Sequence, residues 1–427
     1  MTTAAAPTRF AALRDRHSRP YLFAAGLAMM GDNIEHVITY WVLWQKFHST
    51  ALTGFEIISH WLPFLLLSVT FGGLAQRYDC RRLIQIAQVL FMCVSVVWGI
   101  LFATDTLQVW MACVLLVLHG CAGSLWAPAE QLLLHDFAEP ADLPGAIRLN
   151  ATFRSLGILF GPAVGSVLLL GLGPHFGIWA NVVFYLPMTI LLFRTPFTGH
   201  TRDGVAMGAG AKPVGGPGAA IFGSVRTIRE VRLAPAVVSM LVLSGLMALF
   251  VGGAIQVSMP EFAVALGAGS AGLAYGVLLF ANGIGAVLGG FLLEAIGVLK
   301  PNVLTAVLGT IFFGGFILLF ATTGSYWLAV VALVVAGVAN MASMSFSQSI
   351  VQLMAPPGER GRIVGLFSTV SSGFRTGSGI ILAVLGAIAG LRGALAWSAL
   401  ILFVGAIVIG LWTWWDVRRD RRAPALP

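Results

Sequence analysis

Long hydrophobic runs dominate the chain, and short polar stretches separate them. Each run holds roughly 20 or more mostly apolar residues, the length that an α-helix needs to cross a bilayer. The pattern therefore predicts an all-α integral membrane protein with twelve transmembrane helices. The predicted spans are 20–46, 51–75, 83–104, 107–136, 146–171, 175–195, 236–259, 269–296, 301–322, 325–353, 361–389 and 392–416.

Composition agrees with this class. Hydrophobic residues make up 58% of the 427 residues, charged residues 10%, and the mean hydropathy is +0.90. A soluble chain of this length could not cover its surface with so little charge. The net charge of +8 resides in short connections and forms no basic stripe with interleaved aromatic residues, so nucleic-acid binding is not expected.

The basic residues predict the orientation. Most Lys and Arg residues fall in the two tails and at the even-numbered ends of the helices. Under the positive-inside rule, both termini lie in the cytoplasm of a multi-pass inner-membrane protein. The predicted organisation is a tail, a six-helix bundle, a Gly- and Pro-rich linker with an interfacial helix, a second six-helix bundle and a tail, at residues 1–19, 20–195, 196–235, 236–416 and 417–427.

The two predicted bundles look like repeats. A shift of 216 residues places Gly157 on Gly373 and Gly161 on Gly377. The same shift aligns the loop at 140–145 with the loop at 356–361. Two similar bundles with matched loops suit a transporter in which the halves rock about a central site.

The connection after the second span carries a motif, Gly72-Gly-Leu-Ala-Gln-Arg-Tyr-Asp-Cys-Arg-Arg82. It resembles the loop 2–3 signature of the major facilitator superfamily, in the branch that includes enterobactin exporters and macrolide-efflux proteins. The family usually has Asp at the position of Gln76, where the acid helps to latch the cytoplasmic side against the start of the eleventh helix. Gln76 therefore predicts a weaker latch. The residues of interest here are Gly72, Gln76, Arg77, Asp79, Arg81 and Arg82, with Asp136 as a partner for Arg77 or Arg81.

A second motif lies in the fifth span, where Gly157, Gly161 and Gly165 recur on one helical face and Pro162 follows Gly161. It resembles the fifth-helix antiporter motif of the same superfamily, with Ser166 in place of the last Gly. This resemblance implies export. The alternative is a packing face that lets a neighbouring helix approach closely and has no bearing on direction.

Taken together, the resemblance implies two pseudo-symmetric six-helix bundles, alternating access, a small-molecule substrate, protons as the coupling ion and a monomer. One family feature is missing. The fourth-helix arginine motif of many drug/proton antiporters is absent, and His119 stands where a basic residue is expected.

Ionisable residues within the spans are the best candidates for a functional site, because a buried charge in a membrane needs a cavity or a partner. Asp32, Glu35 and His36 share one face of the first span, since they are three and four residues apart. Carboxylates beside an imidazole provide the conditions for proton coupling. The alternative is a structural hydrogen-bond cluster.

Other polar residues within spans form secondary candidates. Glu130 and Arg154 fall at similar depths of consecutive antiparallel helices and predict an ion pair, structural or gating. Arg375, in the eleventh span, is expected to meet an anionic substrate or to balance a carboxylate. Asn340 belongs to a polar face of the tenth span. The residues nearer the outer ends, Glu56, His60 and Glu261, are expected at the rim.

No catalytic, metal or cofactor site is predicted. The four cysteines form no CxxC pair, the eight histidines show no HExxH-like spacing, and no Walker-type loop is present. The resemblance implies a secondary transporter, not an enzyme, that exports a small amphipathic organic molecule such as a drug or siderophore in exchange for protons. The alternatives are an importer or lipid flippase of the same fold and a transport-dead membrane sensor.

Overall fold

The computed structural model describes residues 9–47, 49–201, 224, 227–229, 231, 233–266, 271–296 and 301–420. Within these ranges the chain is helical and contains no strand. The outer parts of both predicted tails, and most of the predicted linker with its interfacial helix, lie outside the described residues.

Among the described residues the chain forms twelve long helices, which we number in order. The first four are α1 (Ser18–Phe47), α2 (Thr50–Arg77), α3 (Cys80–Thr104) and α4 (Val109–Phe137). Leu143–Arg194 contains α5 and α6, and Arg375–Asp420 contains the end of α11 and all of α12. Helix α7 combines Pro235–Met247, the π-helical turn Ala248–Gly252 and Ala254–Ala265. The others are α8 (Ala271–Ile296), α9 (Val303–Thr322) and α10 (Tyr326–Met354), while α11 begins with Arg360–Ser368 and the π-helical turn Thr369–Gly373.

A single residue separates α5 from α6, and another separates α11 from α12. Gly173 has φ 75° and ψ 171°, and Gly390 has φ 71° and ψ 166°. Residues with a β-carbon rarely adopt a positive φ, so glycine is required for the conformation. The two breaks have nearly the same geometry and occur at equivalent places in the chain.

Nine helical segments among the described residues are long and apolar enough to cross a membrane. Helix α1 is not one of them, because Asp32, Asn33, Glu35 and His36 lower the hydropathy at its centre. A helix with such a polar centre must satisfy these groups against other helices. The least apolar of the first six helices is thus where a site is expected.

The described chain divides into two compact units. The first unit holds α1 to α6 and Ala355–Thr376, so it includes the start of α11. The second unit holds α7 to α10, the rest of α11 and α12. The core of the first unit includes Phe91, which stacks parallel on Tyr185 with 5.2 Å between ring centroids. The core of the second unit includes Phe262 and Phe320, 4.4 Å apart.

Close packing of α5 on α1 fixes the position of the polar centre. A β-carbon on Gly157 would collide with the carbonyl oxygen of Gly26, and one on Gly161 would lie 2.5 Å from Cβ of Asn33. A β-carbon on Gly165 would lie 3.2 Å from Cα of Ile34, a tight contact without a collision. The glycine face of α5 therefore lies directly against the segment of α1 that carries Asp32.

Replacing Gly161 with Ala is expected to destabilise the protein by about 1–3 kcal/mol, because the added methyl group overpacks the contact with Asn33. Gly171→Ala on the same helix provides the control, since nothing lies within 4 Å of its β-carbon position. That control should be neutral or slightly stabilising. Thermal unfolding of the purified variants measures the difference, and equal shifts would contradict the close-packing argument.

Candidate functional site

The candidate site lies at the polar centre of α1. Asp32 and Glu35 are 8% and 2% exposed, so both carboxyl groups are enclosed by protein. They occupy one face of the helix because they are one turn apart. The structure brings the predicted residue His119, on α4, against this face.

His119 bridges the two carboxyl groups. Its Nε2 lies 2.9 Å from Oδ1 of Asp32, and its Nδ1 lies 2.9 Å from Oε1 of Glu35. A neutral imidazole donates a hydrogen bond through only one nitrogen. The bridge therefore holds two protons on the ring when both carboxyl groups are ionised, or one on the ring and one on a carboxyl group. Such an arrangement can move a proton between Asp32 and Glu35 through the ring.

Two further helices support Glu35. The hydroxyl group of Ser95, on α3, donates a hydrogen bond of 2.5 Å to Oε2 of Glu35. The side-chain amide of Asn181, on α6, donates to Ser95 Oγ at 3.5 Å. Glu35 thus has both carboxylate oxygens engaged, and its position is set by α3, α4 and α6.

Two more imidazoles complete the group that we call the polar cluster: Asp32, Glu35, His36, His60 and His119. Nδ1 of His36 lies 3.9 Å from Oδ2 of Asp32. The ring of His60, on α2, lies 4.7 Å from that of His36 and 5.8 Å from that of His119. The expectation that His60 lies at a rim was wrong, since it packs within the cluster. Only the pairing of α2 with α1 and α4 reveals this, because His60 shows no motif spacing with the other residues.

Arg375 lies close to the cluster. Its guanidinium carbon is 4.8 Å from the centroid of the Trp61 ring, and the Trp61 ring is 4.5 Å from that of His60. Stacking on an aromatic face offsets part of the cost of burying the cation. Asn340, by contrast, is half-buried on α10 in the second compact unit.

Glu130 and Arg154 form an ion pair between α4 and α5. Asn150 donates a hydrogen bond of 3.1 Å to Oε1 of Glu130, and the Arg154 guanidinium carbon lies 4.5 Å from the centroid of the Trp126 ring. Glu130 is 3% exposed. Arg154 and Asn150 therefore stabilise the buried carboxylate of Glu130.

The loop between α2 and α3 is held by local contacts. Arg81 pairs with Asp79 at 2.7 Å and donates to the backbone oxygen of Thr195. Asp136 accepts hydrogen bonds from the backbone of Gly199 and Thr201, at 2.7 and 2.9 Å. Asp79 and Thr195 engage the guanidinium of Arg81, so of the two predicted partners of Asp136, Arg77 and Arg81, Arg77 stays the prediction. Arg82 donates to Gln85 at 2.9 Å.

Gln76 joins the end of α2 to the start of α11. Its Nε2 donates to the backbone oxygen of Pro357 at 2.8 Å, and its Oε1 accepts from the backbone N–H of Gly361 at 2.5 Å. Beside it, Gly72 packs directly on Gly361. An Asp here could accept from Gly361 but could not donate to Pro357 when ionised. The side-chain amide of Gln76 thus forms two hydrogen bonds with the start of α11 and carries no charge.

Replacing Gln76 with Leu is expected to weaken this contact by about 1–3 kcal/mol, because the buried N–H of Gly361 loses its partner. In a background without the four native cysteines, a cysteine at Ser368, a buried position on α11, should then react faster with a thiol reagent. Gln108→Leu makes the same change at the start of α4, away from α11, and should leave labelling unchanged. Equal rates in the two variants would count against a latch at Gln76.

Comparison with known proteins places the chain in a family. The family model described as Major Facilitator Superfamily matches residues 21–374 and 241–426. The human organic anion transporter MFSD10 covers 93% of the chain and all of that protein at 13% identity, with a TM-score of 0.72. A proton:xylose symporter, XylE, covers 92% of the chain and 94% of its own at 16% identity, with a TM-score of 0.69. These likenesses show the fold.

Two curated relatives match over shorter stretches. The staphyloferrin A transporter of Staphylococcus aureus is 22% identical over 151 residues, and the uncharacterized transporter YfiS of Bacillus subtilis is 25% identical over 169 residues. The matched stretches span 38% and 39% of the lengths of these relatives. Since the family model covers most of this helical, apolar chain and its structural neighbours have the same fold, the chain belongs to the major facilitator superfamily.

Proposed function

We propose that this protein is a proton-coupled exporter of a small amphipathic organic molecule, working by alternating access in the inner membrane as a monomer with both termini in the cytoplasm. The observation that carries the proposal is the bridge from Asp32 through His119 to Glu35, buried in the first compact unit. A coupled transporter needs a group that takes up a proton on one side and releases it on the other.

The glycine motif of α5 supports export as the direction of transport. Gly157, Gly161, Pro162 and Gly165 stand as in the antiporter motif, and the glycines pack on α1 beside the polar cluster. A change in how α5 lies on α1 would act directly on Asp32. This supports exchange of substrate against protons over symport, although the structural relatives include symporters for fucose and xylose.

The contact between Arg375 and Trp61 supports a proposal for the chemistry of the substrate. A cation stacked on an indole offers both a charge and an apolar surface, which suits an amphipathic anion. A relative is named for staphyloferrin A and a structural neighbour for organic anions. Together with the loop that resembles enterobactin exporters, they favour a carboxylate-bearing siderophore or a related anion as the first candidate.

The test is transport by the purified protein in liposomes with a defined pH gradient. Staphyloferrin A and a lipophilic cationic dye serve as probes, and a pH-sensitive dye in the lumen reports proton movement. Exchange predicts that substrate moving one way drives protons the other way. Co-movement of substrate and protons would instead identify a symporter, and transport independent of the gradient would contradict coupling.

A further inference from the structure

Four side chains of the polar cluster converge on one small volume. Asp32 and His36 come from α1, His60 from α2 and His119 from α4, and one potential ligand atom from each lies within 4.8 Å of all the others. Imidazole nitrogen with a carboxylate oxygen is the donor set favoured by Zn²⁺ and its transition-metal neighbours, whereas Mg²⁺ and Ca²⁺ favour oxygen alone.

The surroundings of His119 match those of a metal-binding histidine. Metal-bound imidazoles usually donate their second N–H to a carboxylate, which fixes the tautomer and the ring orientation. Here Nδ1 of His119 lies 2.9 Å from Glu35, and this leaves Nε2 to face Asp32. Ser95 and Asn181 in turn hold Glu35.

His60 offers an independent indication. Its Nδ1 is buried and has no hydrogen-bond partner among the described residues. A buried polar atom without a partner costs free energy, so such an atom calls for an explanation. Its ring packs against those of His36 and His119, which places its nitrogen atoms near the other three ligands.

We propose that Asp32, His36, His60 and His119 bind one divalent transition-metal ion of the zinc class, with Glu35 as the positioning carboxylate for His119. Metal–ligand distances of about 2.0–2.2 Å require the four atoms to close around the ion. The pair formed by His119 and Asp32, at 2.9 Å, is already close enough to share one. The proposal goes beyond proton-coupled export, because the same side chains that are proposed to carry protons would also bind a metal ion.

The test uses the full-length protein without a histidine tag, treated with a chelator and then titrated with Co²⁺. Four-coordinate Co²⁺ gives strong visible absorption bands that six-coordinate Co²⁺ lacks. We expect saturation at one Co²⁺ per protein and displacement by Zn²⁺, but not by Mg²⁺. His60→Gln and His36→Gln should weaken binding by at least about 10-fold, and Glu35→Gln by about 10- to 100-fold, as carboxylates behind metal-bound histidines do.

His175→Gln is the matched control, because His175 packs against Phe176 and Trp179 away from the cluster. Its Co²⁺ affinity should equal that of the wild type. Absence of a saturable band in the wild type, or equal weakening by His175→Gln and His60→Gln, would overturn the proposal. X-ray absorption of the Zn²⁺-loaded wild-type protein needs no variant, and a first shell of oxygen atoms alone would also overturn it.

The two proposals fail separately. If the protein binds Co²⁺ with the expected pattern but moves substrate without protons, the proposed metal site stands and the proposed proton coupling is wrong. If the protein shows gradient-driven transport but binds no Co²⁺, the proposed proton coupling stands and the proposed metal site is wrong.

Discussion

Replacing Asp32 with Asn is expected to abolish transport driven by a pH gradient and to leave the amount of folded protein unchanged. Asn has nearly the same shape as Asp, and its side chain can still hydrogen-bond Nε2 of His119, so the packing of α1 on α4 is retained. It cannot take up or release a proton, however. Gradient-driven uptake of the probe into liposomes should fall to the level of empty vesicles, while exchange of labelled for unlabelled substrate persists.

Asp105→Asn is the control for this variant. Asp105 is an exposed acid after α3, paired with Lys46, and its φ of 54° suits Asn as well as Asp. The same chemical change there should leave transport intact. If Asp32→Asn responds to the gradient as the wild type does, Asp32 is not the coupling group, and Glu35 becomes the first candidate.

Removing either partner of the pair formed by Glu130 and Arg154 is expected to cost about 3–5 kcal/mol, because the remaining charge is stranded. Glu130→Gln and Arg154→Gln should therefore lower the yield of folded protein and its thermal stability. The charge-reversed double variant, Glu130→Arg with Arg154→Glu, should recover part of the loss. Recovery is expected to be incomplete, since Asn150 and Trp126 are arranged for the native orientation.

Lys46→Gln removes one charge from an exposed ion pair and serves as the control. Asp105, the partner of Lys46, has a side chain that is 90% exposed, so this variant should cost less than about 1 kcal/mol. The comparison uses thermal unfolding of all variants in one detergent. A double variant no more stable than the less stable single variant would show that the two charges do not act as a pair.

The predicted fold class is confirmed, because runs of apolar residues report helix length directly. The twelve predicted spans correspond to the twelve helices within the described residues. The π-helical turns at Ala248–Gly252 and Thr369–Gly373 were not predicted, since a single extra residue in a turn leaves no mark on hydropathy. Nor was the direct passage from α5 to α6, which replaces a loop with Gly173 alone.

The site was predictable only in part, and the reason is geometric. Asp32, Glu35 and His36 lie on one helix, so spacing alone places them together. His119 could be named as a candidate, but not its bridging position, because that depends on the depth and rotation of α4. His60 was misplaced because counting residues from the end of an apolar run does not fix the tilt of α2 or the face it presents to α1.

The one-residue connections at Gly173 and Gly390 have a mechanical consequence. A loop can absorb a change in the tilt of one helix without moving the next, but a one-residue connection has few backbone angles that can rotate. Any rocking of α5 on α1 must therefore carry α6 with it, or be taken up by rotation about the φ and ψ angles of Gly173 alone. Helix α6 also carries Asn181, which supports Ser95 and Glu35. The hairpin of α5 and α6 thus links the glycine contact with α1 to the hydrogen bonds that hold Glu35.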